Sequence, residues 1–218
     1  MRKNLLAAAA AVTAACCLAL TACNDDTKGT TGSSSGERPQ QTSPGTGTSS
    51  GPPPSAADGA KGAALAFGEA SRTVGAGTVG ILEITPTTVV YAKEGGRVTP
   101  QHGTFAVVTL KEASLSANPA DEEAPAKGGG WRWVAADGRS VPAGNDNAAR
   151  VVLEKYRHSG GIPPGASQVR AKVFDLTPAQ AKGGTIVYTD GTKSADRWTV
   201  PATDTGPQVA EVKQQLKP

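Results

Sequence analysis

Histidine and cysteine are scarce in this chain, and their scarcity limits what it can do. His102 and His158 are the only histidines among 218 residues. A zinc site takes three or four ligands from His, Cys, Asp and Glu. Two histidines in different loops, with no H-x-x-x-H spacing, read as solvated loop residues, so no metal is expected. The three cysteines, Cys16, Cys17 and Cys23, all fall near the start. No disulfide can therefore staple the rest, which must fold on its core alone. No block of Lys and Arg occurs either, and nucleic-acid binding is excluded on that ground. Long apolar runs are limited to one, Leu5 to Leu20, interrupted only by Thr13. It falls short of the roughly 20 residues of a stable membrane span.

That run follows Arg2 and Lys3 and ends in Leu20-Thr21-Ala22-Cys23, with Asn24, Asp25 and Asp26 directly after it. A basic start, an apolar stretch and small residues before a cut describe a secretory signal. The last four residues resemble the lipobox of bacterial lipoprotein precursors. The resemblance implies cleavage before Cys23, with Leu20, Thr21 and Ala22 read by the lipoprotein signal peptidase, and a diacylglyceryl group on the Cys23 sulfur. Two acyl chains anchor stably where one binds reversibly. The expected partner is thus a lipid bilayer, with the protein on the cell membrane facing outward. An ordinary secretory signal, with Cys23 left free or buried, is the competing reading.

Removing Arg2 and Lys3 from the 22 basic residues leaves 20 against 19 acidic ones, a formal charge of +1. Residues 23–62 are rich in Gly, Ser, Thr and Pro and nearly lack apolar side chains. Such a segment cannot offset its ordering entropy. It is expected to be a disordered tether of about 38 residues with a root-mean-square span near 35 Å. Residues 63–218 suffice for one domain with a full core.

In this part the β-branched density of Val79–Ile84 and Thr87–Tyr91 favours strands on either side of Pro86, which is expected to break them. Phe105–Leu110 is apolar enough to be a central strand buried on both faces. A Pro/Ala/Gly stretch holding Asp121, Glu122 and Glu123 reads as a long solvated loop. Trp131–Ala135 is a strand that stops at Asp137-Gly138, a turn dipeptide. Val151–Leu153 reads as a further short strand. Val169, Ala171 and Val173 alternate with Arg170, Lys172 and Phe174 on a strand with two dressed faces. Thr185–Tyr188 and Arg197–Val200 form a terminal hairpin around Asp190-Gly191. Helix is expected only briefly, over Ala63–Ala70 and in the tail 203–218, where Val209, Val212 and Leu216 sit at helical spacing. Seven or eight short strands separated by turns indicate an all-β sandwich over residues 63–202.

Several of these segments resemble a domain of unknown function carried by envelope lipoproteins of Gram-positive bacteria. They are Ile84–Tyr91, Phe105–Leu110, Trp133–Arg139 with its Asp-Gly turn, Ile162–Gly165 followed by Phe174-Asp175-Leu176, and Thr185–Tyr188. The resemblance covers residues 74 to 200 and implies an immunoglobulin-like sandwich, with no catalytic residue to carry over. Arg170 departs from that pattern, standing where a small residue or glycine is usual. The acidic loop is also longer than usual, and no Asn follows Leu110.

Motifs suggestive of chemistry fail on context. Gly32–Gly36 fits G-x-S-x-G but lacks the strand and helix that strain a nucleophile elbow. Gly75–Gly80 fits G-x-G-x-x-G, but a strand follows where a dinucleotide site needs a helix. Asp121, Glu122 and Glu123 cannot all converge on one calcium ion, and Asp190 and Asp196 read as solvated turn residues. Trp131 and Trp133 share one strand face. Trp133 is expected in the core, and Trp131 is a candidate aromatic platform for glycan or peptide. Tyr156, Arg157 and His158 offer a second candidate surface. The expectation is a monomeric, non-catalytic binding or scaffolding module of the cell envelope that meets an envelope protein or wall ligand and needs no cofactor. The alternatives are a hydrolase using carboxylates of the 121–123 loop as acid and base, or an accessory lipoprotein of a transporter or signalling system.

Overall fold

A computed structural model describes residues 63–218. The leader, the lipobox residues Leu20–Cys23, the tether and the Gly32–Gly36 motif lie outside the described residues. Eight strands form two four-stranded antiparallel sheets. In chain order they are β1 (Ser71–Val74), β2 (Ile81–Ala92), β3 (Thr104–Ser114), β4 (Gly130–Ala135), β5 (Ser140–Pro142), β6 (Ser167–Leu176), β7 (Gly184–Thr189) and β8 (Ala195–Val200). The first sheet runs β1-β2-β3-β6 and the second β5-β4-β7-β8. This is the β-sandwich that the strand pattern indicated. Among the described residues no helix is long and apolar enough to cross a membrane.

β3 lies between β2 and β6, and its run from Thr104 to Leu110 is buried without a break. One face meets the second sheet through Ala106, Val108 and Leu110. The other places Phe105 and Val107 in a second core. That outer core is roofed by short 3-10 turns at Asp146–Arg150 and Glu154–Tyr156 and by helix α1 (Val209–Gln215). A strand covered on both sides has no polar face to show, which is why its sequence does not alternate.

Pro86 does not break its strand. β2 continues through it by way of a bulge: Pro86 pairs with Leu110 and Thr88 with Thr109, leaving Thr87 over. One extra residue reverses the alternation. Leu82 and Ile84 face the inner core before the bulge, and Val89 and Tyr91 face it afterwards. β1 covers only the first part of β2, pairing as far as Ile84. The later edge is taken by the C-terminal segment, where Val89 and Thr205 exchange backbone hydrogen bonds of 2.9 and 3.0 Å. Gly206 permits this approach, since a Cβ there would lie 2.2 Å from the Thr87 carbonyl. The tail is thereby sewn to the domain, and Val212 and Leu216 close the outer core.

Two expectations are corrected. Ala63–Ala70 forms no helix: Leu65 bridges Trp198 of β8, and a turn follows at Phe67-Gly68. Val151–Leu153 is no strand. It links the two 3-10 turns, with the Val151 amide donating to Ala148, Leu153 buried and Val152 exposed. Three β-branched or aliphatic residues in a row carry strand propensity, but the roof offers them no ladder to join.

All nine aromatic side chains serve the two cores. Seven pack in or against the inner one, and Phe105 and Tyr156 belong to the outer. Trp133 lies edge-on to Tyr91 and beside Phe174, while Trp131 stacks on Trp198 at 5.7 Å and meets Tyr188 at 5.0 Å. Trp131 is therefore a core residue and no platform, and Tyr156 is likewise buried.

Candidate functional site

At one end of the sandwich the inward positions change from apolar to charged. Side chains two apart on a strand share a face. Arg170 and Lys172 consequently lie on the same side of β6 as Phe174 and Leu176, which are inner-core residues. Opposite Arg170 stands Leu110, and opposite Gln168 stands Glu112. The apolar residues Val169, Ala171 and Val173 face the outer core. β6 thus directs its cations between the sheets.

Carboxylates meet them there. The loop from Leu115 to Gly129 folds over this end, held by an Ala120–Ile162 bridge with amide-to-carbonyl distances of 3.1 and 2.7 Å. It delivers Asp121 to Arg170 at 2.9 Å and sets Glu122 against Lys172. Arg170 also donates to the Gly160 carbonyl and lies 3.5 Å from Glu112 through Nε. Trp131 donates its Nε1–H to Glu122 at 2.6 Å. The side chains of Arg170 and Glu112 are 6% and 0% exposed, so both groups are almost fully desolvated.

Glu112 has no hydrogen-bond donor to either carboxylate oxygen. Burial first, and then the Glu122 charge beside it, push Glu112 well above the usual carboxylate range. Burial also opposes ionisation of Glu122, but the Lys172 charge and hydrogen bonds from Lys172 and Trp131 outweigh it and hold that group low. The arrangement sets two cations against three carboxyl groups, of which Glu112 is the one whose ionisation the site disfavours.

The other acidic residues are equally committed. The Gly77 amide donates to Glu123 at 2.9 Å and, together with the Ala124 amide, keeps its carboxyl below the usual range. Gly129 lets the strand come close, since a Cβ there would lie 2.4 Å from Glu123. Asp190 is buried and accepts from Thr73, from the hydroxyl and amide of Thr192 and from the Ser194 amide. Burial works against its ionisation, and these hydrogen bonds reverse the balance so that its pKa is lowered. The expectation that 121–123 and Asp190 would be solvated is therefore corrected for Glu122, Glu123 and Asp190; Asp121 is the most exposed of them, its side chain 38% exposed against 13% for Glu122. Asp196 is half-buried, and burial raises it.

The expected surface residues do not converge. Trp131 sits between the sheets, whereas Tyr156 lies beyond the far face of the first sheet with its hydroxyl donating to Glu211 at 2.9 Å. Only Arg157 and His158 are exposed. His102 lies elsewhere, its Nε2 3.1 Å from Asp146. Among the described residues no cluster of three His, Cys, Asp or Glu side chains could hold a metal. Beside the Glu122–Lys172 pair a cleft of about 320 Å³ opens, walled by Ala148, Val151 and Val173. Glu112, Arg170 and Lys172 had no sequence signal as a group, being 58 residues or more apart from β3 to β6. One clue was Phe174, which shares the parity of Arg170 and Lys172.

No family model matches the chain, and no curated protein matches it. Two solved structures are similar in fold. One is MPT63, a secreted protein from Mycobacterium tuberculosis, 14% identical with a TM-score of 0.45, covering 65% of this chain and 99% of its own. The other is a conserved hypothetical protein from Bacillus anthracis, 14% identical with a TM-score of 0.41, covering 61% of this chain and 93% of its own.

Removing one partner of a buried ion pair leaves the other charge uncompensated, at about 3–5 kcal/mol. Arg170→Met is expected to lose stability on that scale in urea unfolding. Arg170→Met with Glu122→Met should lose less than the two single changes combined, because it removes a carboxylate along with its cation; additive losses would count against a coupled cluster. Glu112 supplies a pH signature. Its native pKa is raised, so its contribution is full below the unfolded value of about 4.3 and is lost as pH rises through the native value, with a slope of up to about 1.4 kcal/mol per unit. Glu122 acts in reverse, its contribution being lost as pH falls below that range. Glu112→Gln should abolish the decline expected of wild type above about pH 4.3; an unchanged decline would assign it to another group.

Proposed function

We propose that the chain is a lipid-anchored extracytoplasmic lipoprotein whose β-sandwich is a non-catalytic binding or scaffolding module of the cell envelope. The anchor rests on Leu20-Thr21-Ala22-Cys23 behind a basic, apolar leader. The resemblance of residues 74 to 200 to the lipoprotein-borne domain of unknown function belongs to the same reading.

One structural observation carries the module over the hydrolase. A glycosidase-type pair needs one carboxyl as acid and one as base or nucleophile, both facing a substrate. Glu122 is bound by Lys172 and Trp131, and Glu123 by two backbone amides. Both are spent on holding the loop to the sandwich.

Cys23→Ser in the producing cell should abolish fatty-acid labelling and shift the protein out of the membrane fraction. Retention with undiminished label would overturn the anchor. Immobilised full chain should retain a defined component of envelope extract, and its capture should survive Glu122→Gln and Glu123→Gln. Hydrolysis of wall polymer by the wild type, lost in those variants, would replace the module with the enzyme.

A further inference from the structure

The outer face of the second sheet carries a groove of about 630 Å³ that the charge cluster does not use. Its cations are placed by strand register. Arg132 of β4 pairs with Val187 of β7, and Val187 pairs with Arg197 of β8. All three point outward, because the neighbouring Trp131, Trp133, Ile186, Tyr188 and Trp198 point into the core. Two guanidinium-bearing positions thus flank one valine, about 10 Å apart across two strand spacings. Lys193, from the β7–β8 turn, lines the same groove.

None of the groove's lining residues is acidic. Arg132 donates to a neutral partner, Ser140 Oγ, at 2.6 Å, and Lys193 reaches the Lys127 carbonyl. The Arg197 Nε is buried with no acceptor. Neither arginine has a carboxylate within ion-pair distance among the described residues, although Arg72, Arg139 and Arg170 each have one. Of the three cations only Lys193 has a carboxylate near enough to act on among the described residues, that of Glu123, and a guanidinium without a carboxylate partner suits the paired oxygens of phosphate or carboxylate.

We propose that this groove is a binding site for an extended polyanion, a linear polymer carrying phosphate or carboxylate groups. The cations are spread over β4, β8 and a turn, so a chain lying along the groove can meet all three. A bilayer surface fits less well. Membrane docking wants protruding apolar side chains, and the exposed large ones, Val79, Ile81, Leu115 and Val152, all lie outside this groove. Val187, at its floor, is buried.

The inference rests on the binding-module reading and gives it a ligand class. The test uses the full chain in non-ionic detergent, titrated with long-chain inorganic polyphosphate, with inorganic phosphate, and with vesicles of phosphatidylglycerol and phosphatidylcholine. Polyphosphate should bind, and affinity should fall log-linearly with salt as counterions are released. Arg132→Gln with Arg197→Gln should weaken binding at least tenfold while leaving the unfolding midpoint near wild type. If that pair fails to fold, Arg197→Lys keeps the charge, loses the fork and should still weaken binding severalfold. Equal binding by wild type and variants, or binding only to vesicles, overturns the groove. If polyphosphate is ignored while envelope extract still yields a captured component, the groove fails and the module stands.

Discussion

The fold depends on charge placed inside it. Arg170 and Lys172 project between two sheets, where an unpaired cation would be far too costly to keep. Their presence obliges the chain to bring carboxylates to them. Glu112 comes from the adjacent strand, but Asp121 and Glu122 come from a loop that is also tied by the Ala120–Ile162 bridge and the contacts of Glu123 and Trp131. The ion pairs therefore fix the loop, and the loop seals the end of the sandwich and anchors Trp131 through its indole N–H. Buried pairs of this kind add little net stability compared with an apolar core of equal volume. What they provide here is geometry, a defined path for fifteen residues of loop.

Within that cluster, two cations face three carboxyl groups, and the one without a donor and fully enclosed, Glu112, is the one whose charged form the site disfavours. The pair Glu112 and Glu122 therefore divides into an acid and a base by environment alone, as carboxyl pairs do in many active sites. Here the pair is shut beneath a loop, with its hydrogen bonds turned toward Lys172 and Trp131. Perturbed titration marks a functional site only in probability; in this fold it marks the place where the sandwich is closed.

Much of the architecture was legible. β3 announced itself by an unbroken apolar run, Asp137-Gly138 and Asp190-Gly191 marked their turns, and Val209, Val212 and Leu216 gave the helix by spacing. Pro86 misled because a proline in a strand can be absorbed by a bulge, and the bulge depends on pairing with β3, which composition does not encode. The site was far less legible. Arg170 and Lys172 alternate with valine and alanine, and ordinary reasoning places the charged face in solvent. The roof over Val169, Ala171 and Val173 inverts that assignment, and the roof is built from residues 146–156 and 209–216, distant in sequence. The odd feature at Arg170, a large cation where a small residue was expected, was the visible trace of the interior cluster.

A near-neutral total hides how the charges are sorted. Asp175 accepts from the amides of Gln101 and His102, Asp190 from amides and hydroxyls, and Glu123 from the amides of Gly77 and Ala124. None of these three has a basic side chain as a hydrogen-bond or ion-pair partner among the described residues. Backbone donors satisfy them at turns, where unpaired N–H groups are available. The interior cluster claims Arg170 and Lys172, and the outer sheet face keeps Arg132, Arg197 and Lys193. A chain with almost equal numbers of acids and bases can thus present a cationic groove, because three of its acids, Glu123, Asp175 and Asp190, are held by backbone and hydroxyl donors.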